Sequence, residues 1–127
     1  MAKEEFFKTV EEICASDPRY KADSYIFLMQ ALHFTQAKSK KTGHISGGEL
    51  SQGIREFALE QFGPMVKTVF KHWGITKTED FGNIVFNLID KKMLSKTEND
   101  TLADFKDIYD FDVAFGKFFE NLKIKSV

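Results

Sequence analysis

Thr78-Glu79-Asp80-Phe81-Gly82-Asn83-Ile84-Val85-Phe86-Asn87-Leu88-Ile89-Asp90, followed by Lys91 and Lys92, is the stretch on which the architecture turns. Phe81, Ile84, Val85, Leu88 and Ile89 recur at i, i+3, i+4, i+7 and i+8, the period of an amphipathic helix. Thr76-Lys77-Thr78-Glu79 supplies a capping box ahead of it, in which a hydroxyl and a carboxylate satisfy free N–H groups reciprocally. The paired lysines suit the negative end of its dipole. With the apolar row turned to the core, Asp80, Asn83, Asn87 and Asp90 are expected on the outer face.

Downstream the pattern changes. Met93-Leu94-Ser95-Lys96, a turn at Thr97-Glu98-Asn99-Asp100, and Phe105-Lys106-Asp107-Ile108-Tyr109 suggest a short β-hairpin. A terminal helix is expected from about Asp112, with Val113, Phe115, Phe118, Phe119 and Leu122 as its apolar residues. Short helices followed by a hairpin make the C-terminal half winged-helix-like, a likeness of architecture alone.

Upstream, Phe6, Val10, Ile13 and Cys14 mark a first helix from about Lys3 to Ala15. Ser16-Asp17-Pro18 interrupts it, and Asp17 as cap with Pro18 in the first position is expected to open the second. Nine of the thirteen residues from Ala22 to Phe34 are apolar, so that helix is expected to be the central one, with Asp23, Gln30 and His33 on a narrow polar edge. Ser46-Gly47-Gly48-Glu49 is a capping box for a third helix carrying Leu50, Ile54, Phe57, Ala58 and Phe62, which Gly63 stops. Pro64 starts a fourth, which Gly74 closes. The expected fold class is therefore mainly α, five to six helices with a small C-terminal β-hairpin, in one domain over 1–127.

Composition agrees with a packed globular chain: 127 residues, 43% hydrophobic, with 14 phenylalanines. A net charge of -1 gives no global attraction to nucleic acid or anionic lipid. One cysteine, Cys14, forms no internal disulfide, and no apolar run approaches the ~20 residues of a membrane helix. A cytoplasmic setting without membrane contact is expected.

Two segments stand out. Lys38, Lys40, Lys41 and His44 lead into Gly47 and Gly48 at a helix start, where free N–H groups beside lysines suit a phosphate or another anion. The competing reading is a solvated loop ending in an ordinary cap, and the spacing is not that of a Walker motif. Residues 98–112 hold six acids against Lys106, a local net of -5 that leaves +4 for the rest. Glu98, Asp100, Asp104 and Asp107 are candidates for docking a basic protein partner, against a solvated acidic face. They lack the ligand spacing and central glycine of an EF-hand.

No metal site, cofactor or catalytic residue is expected. His33, His44 and His72 lack ligand spacing, Cys14 lies on an apolar helix face, and no nucleophile elbow or dinucleotide fingerprint occurs. A non-enzymatic protein-binding or regulatory module leads. An enzyme or phosphate-binding protein using residues 38–49 is second, and a winged-helix nucleic-acid binder third. Duplex DNA is not an expected partner, because Asp80 and Asp90 would face phosphate.

His44-Ile45-Ser46-Gly47-Gly48-Glu49-Leu50, continuing through Gly53-Ile54-Arg55-Glu56 to Gln61-Phe62-Gly63-Pro64, is one distinctive stretch. Asp80-Phe81-Gly82-Asn83-Ile84-Val85-Phe86-Asn87-Leu88, with Asp104-Phe105 and Tyr109-Asp110-Phe111, is another. Together they resemble a small bacterial family of hypothetical proteins from a verrucomicrobial and planctomycete group, over roughly Asp17 to Phe115. The resemblance implies a bacterial cytosolic protein and brings no activity or catalytic residue with it.

Overall fold

The computed structural model describes residues 3–39 and 44–116. Lys40 and Lys41 of the basic segment, and Phe118, Phe119 and Leu122 of the expected terminal helix, lie outside the described residues. The chain forms α1 (Lys3–Ser16), α2 (Ala22–Ser39), α3 (Gly47–Phe62), α4 (Val66–Trp73), α5 (Thr78–Asp90) and α6 (Phe111–Phe115), with 3-10 turns at Gly63–Met65 and Leu102–Phe105. None of the described helices is long and apolar enough to cross a membrane.

The second helix begins later than Pro18. Asp17 binds the N–H and guanidinium of Arg19 instead of capping, and this turn swings Tyr20 inward to 3% exposure. Helix α2 is central, as its composition demands. It buries Tyr25, Phe27, Leu28, Ala31 and Thr35 and packs on α1, α3, α4 and α5. Asp23, Gln30 and His33 remain at its exposed edge.

Helix α3 starts with the expected box: Glu49 N–H donates to Ser46 Oγ and Ser46 N–H to Glu49 Oε1, each at 3.1 Å. Helices α4 and α5 end alike. Gly74 (φ 92°) and Lys92 (φ 61°) adopt the left-handed conformation, and the next N–H in each case reaches the carbonyl five residues back, Ile75 to Phe70 and Met93 to Leu88. At the start of α5 the acid that reaches back is Asp80, not Glu79; its Oδ2 accepts from the N–H groups of Thr76 and Lys77.

The β-hairpin expected over 93–109 is not formed; the described residues contain no strand. Two consecutive Thr-x-x-Asp turns replace it. Thr97 N–H donates to Asp100 Oδ2 at 2.7 Å, and Thr101 N–H donates to Asp104 Oδ2 at 2.9 Å. Each turn closes the backbone on itself, leaving no extended run to pair. The segment is fastened to the helices. Thr78 Oγ1 donates to the Phe105 carbonyl at 2.6 Å, and Tyr109 Oη donates to the Ser51 carbonyl at 2.6 Å. Among the described residues the C-terminal half therefore has no wing.

The core is an aromatic chain centred on fully buried Phe70. Its ring meets Phe27 and Trp73 on one side and Phe81, Phe111 and Phe115 on the other, with centroids 5.6–6.0 Å apart. Such spacings are those of favourable tilted and edge-to-face ring pairs.

Candidate functional site

The two segments singled out in the sequence meet at one cavity. It has a volume of about 360 Å³ and lies between α2, the start of α3, the second half of α5 and residues 94–105. Leu32, Leu50, Val85, Ile89, Leu94 and Phe105 give it an apolar lining. Its polar groups include His44, Lys96, Asp100 and Asp104. An apolar concavity with a few polar groups at this size is the usual form of a recognition site.

His44 closes one side. Its Nε2 lies 2.9 Å from Asp100 Oδ1, while the other Asp100 oxygen holds the Thr97 N–H. Burial pushes the Asp100 carboxyl up, but the Thr97 N–H and the adjacent imidazole outweigh it and hold the group below its ordinary value. Asp104 stands against the first turn of α3: a Cβ on Gly47 would come within 2.8 Å of Asp104 Cβ and 3.0 Å of the Phe105 ring. Glycine at 47 is what lets the acidic segment sit this close. The Glu49 carboxylate already accepts from the Ser46 N–H at the positive end of α3.

The remaining candidates scatter. Lys38 pairs with Glu56 at 3.3 Å and covers the Phe34 ring, apart from the cavity. Gly48 is open, with nothing inside 4 Å of a would-be Cβ. Glu98 and Asp107 are exposed. His33 and His72 are exposed too, and no group of three metal-ligating side chains occurs among the described residues. Sequence reasoning did not find the lining from α2 and α5. Leu32, Val85 and Ile89 carry only the periodicity of core residues, and nothing in a helical period separates a core wall from a cavity wall.

The expected outer face of α5 is largely internal. Asp80 is 7% exposed, and its Oδ1 accepts from Tyr20 Oη at 2.5 Å. Asn83 Nδ2 donates to the same hydroxyl at 2.9 Å, and Asn87 Nδ2 donates to Asp17 Oδ2 at 2.9 Å and Tyr25 Oη at 3.0 Å. Burial raises both tyrosine hydroxyls above their ordinary range, with Asp80 adding to the effect at Tyr20. The Arg19 guanidinium, aided by Asn87, holds Asp17 well below the usual carboxylate range. This network fastens the α1–α2 turn to α5. Cys14 borders it; burial, then Asp17, pushes its thiol up, away from the thiolate a nucleophile needs.

No family model, curated protein or solved structure matches the chain.

Proposed function

We propose that the domain is a non-enzymatic binding module that receives an apolar side chain of a partner protein in the cavity between α2, α3 and α5. The observation that supports this reading is the cavity itself: an apolar lining with carboxylates among its few polar groups. Acidic groups of the same segment continue past the mouth at Glu98 and Asp107, a wider field than a small molecule needs and one that suits a basic protein. The lone cysteine and the family resemblance favour a bacterial cytoplasmic setting for the partner.

Duplex DNA is left out of this reading for a reason located in α5. Its Asp80, Asn83 and Asn87 are engaged with Tyr20, Tyr25 and Asp17, so they are not presented to a groove. A phosphate at the start of α3 is the second reading, favoured by Lys96 at the cavity and by the open approach to Gly48.

Titration of the isotopically labelled chain with N-acetylphenylalaninamide, followed by amide NMR shifts, tests the proposal. Shifts centred on Gly47, Leu50, Ile89 and Leu94, lost when Leu32→Trp fills the cavity, are expected. No shift at these positions overturns it. Inorganic phosphate moving Gly47 and Gly48 first, with no response to the aromatic probe, would favour the second reading.

A further inference from the structure

We infer that the segment docking in this cavity carries a cationic side chain next to its apolar anchor, and that Asp104 is the carboxylate it pairs with; the inference rests on the cavity reading above.

The two carboxylates at the mouth are not equivalent. Asp100 has its partners: His44 at 2.9 Å on one oxygen and the Thr97 N–H at 2.7 Å on the other. Asp104 has one. Its Oδ2 takes the Thr101 N–H at 2.9 Å, and no described residue donates to Oδ1 or forms an ion pair with the group. Asp104 is half-buried and lines the cavity, and its second oxygen, bonded to no described residue, is left accessible to solvent water.

An apolar group entering the cavity displaces that water. A carboxylate stripped of solvent without a cation is strongly unfavourable, whereas one that gains a charged donor keeps a charge-assisted bond in a drier setting. The adjacent α3 N-terminus compensates only in part, because its dipole amounts to roughly half a charge. An anionic occupant fares worse, since Asp100 and Asp104 both line the cavity against Lys96. An apolar residue followed by Lys or Arg is the chemistry that satisfies both the lining and the mouth.

Three blocked dipeptides test this on the full chain by NMR titration: acetyl-Phe-Lys-amide, acetyl-Phe-Gln-amide and acetyl-Phe-Glu-amide. The lysine peptide is expected to bind about fivefold more tightly than the glutamine peptide at low salt, and the glutamate peptide more weakly than both. The lysine advantage should shrink with added salt and vanish in Asp104→Asn, which retains an oxygen for the Thr101 N–H. The same variant should bind the glutamine peptide at least as tightly as the native chain does, because no unpaired carboxylate is then desolvated. Asp107→Asn, at an exposed position of the same acidic segment, should keep the full advantage. Equal binding of all three peptides would overturn the cation inference and leave the cavity reading standing. Tighter binding of the glutamate peptide would overturn it in favour of an anion site. Failure of all three to shift cavity amides would overturn both.

Discussion

Gly53→Ala should destabilise this protein, although helix propensity alone favours the change. Helices α2 and α3 cross where Gly53 faces buried Thr35. A Cβ at position 53 would fall well inside contact distance of Thr35 Oγ1, 2.8 Å from its Cβ and 2.9 Å from its Cγ2. That side chain is not free to yield: it is β-branched, and its hydroxyl donates to the Ala31 carbonyl at 2.7 Å. Overpacking of this kind costs about 1–3 kcal/mol, and three overlaps with one stiff side chain place it at the upper end. Replacing an interior glycine by alanine returns about 1 kcal/mol of propensity, so a net loss of about 2 kcal/mol is expected. For a chain of this size that lowers the melting temperature by roughly 8 °C. Urea unfolding followed by circular dichroism measures it, with Thr35→Ala as the second arm of a double-mutant cycle. Thr35→Ala removes the Oγ1 and Cγ2 overlaps and leaves the Cβ contact at 2.8 Å, whose residual cost the propensity gain roughly offsets. In that background Gly53→Ala should cost close to nothing, a coupling of about 2 kcal/mol. A neutral or stabilising Gly53→Ala, or strict additivity with Thr35→Ala, would refute the α2–α3 crossing.

Three further outcomes are expected. Thr78→Val deletes the bond to the Phe105 carbonyl and the acceptor for the Ile108 N–H, so it should cost about 2 kcal/mol and speed amide exchange over residues 105–108 selectively. Asp17 has a folded pKa held below its ordinary 3.8, so its stabilising contribution is full above that value and is lost as pH falls through the folded one. Asp17→Asn should accordingly flatten the acid limb of a urea-midpoint-against-pH curve between about pH 4 and pH 2, and an unchanged limb would remove the Asp17–Arg19–Asn87 cluster from the account. Lys92→Gly should raise the urea midpoint, by up to about 1 kcal/mol of stability, because Lys92 closes α5 at φ 61°; destabilisation there would mean that α5 does not end in this way.

The helices were legible wherever caps and period agreed. Ser46 with Glu49, Gly63 and Gly74 mark ends that the backbone honours, and the apolar density of Ala22 to Phe34 marks the central helix. The hairpin failed because Met93, Leu94, Phe105 and Tyr109 read as two short apolar runs. Thr97 with Asp100 and Thr101 with Asp104 are the signal that outweighs them, since a hydroxyl residue followed three positions on by a carboxylate closes a turn. The α5 stripe misled for a different reason. A polar row at helical spacing normally marks solvent, but Asn83 and Asn87 are amides, which tolerate burial when matched, and their partners Tyr20 and Tyr25 lie some sixty residues away. Both candidate segments were visible in the sequence. Their meeting at His44–Asp100 and Gly47–Asp104 was not, because a contact between residues about fifty-six apart leaves no local trace.

Helix α5 has little room to drift in evolution. One side packs into the aromatic core through Phe81, Ile84 and Leu88, another forms the cavity wall through Val85, Phe86 and Ile89, and a third bonds across to the tyrosines through Asp80, Asn83 and Asn87. A replacement at most of its positions therefore meets a neighbour that must change with it. In related chains, substitutions at 83 are expected to travel with 20, and those at 87 with 17 and 25, while exposed positions of α1 vary independently. Divergence would then proceed by linked steps at the centre of the fold and by single steps at its edge.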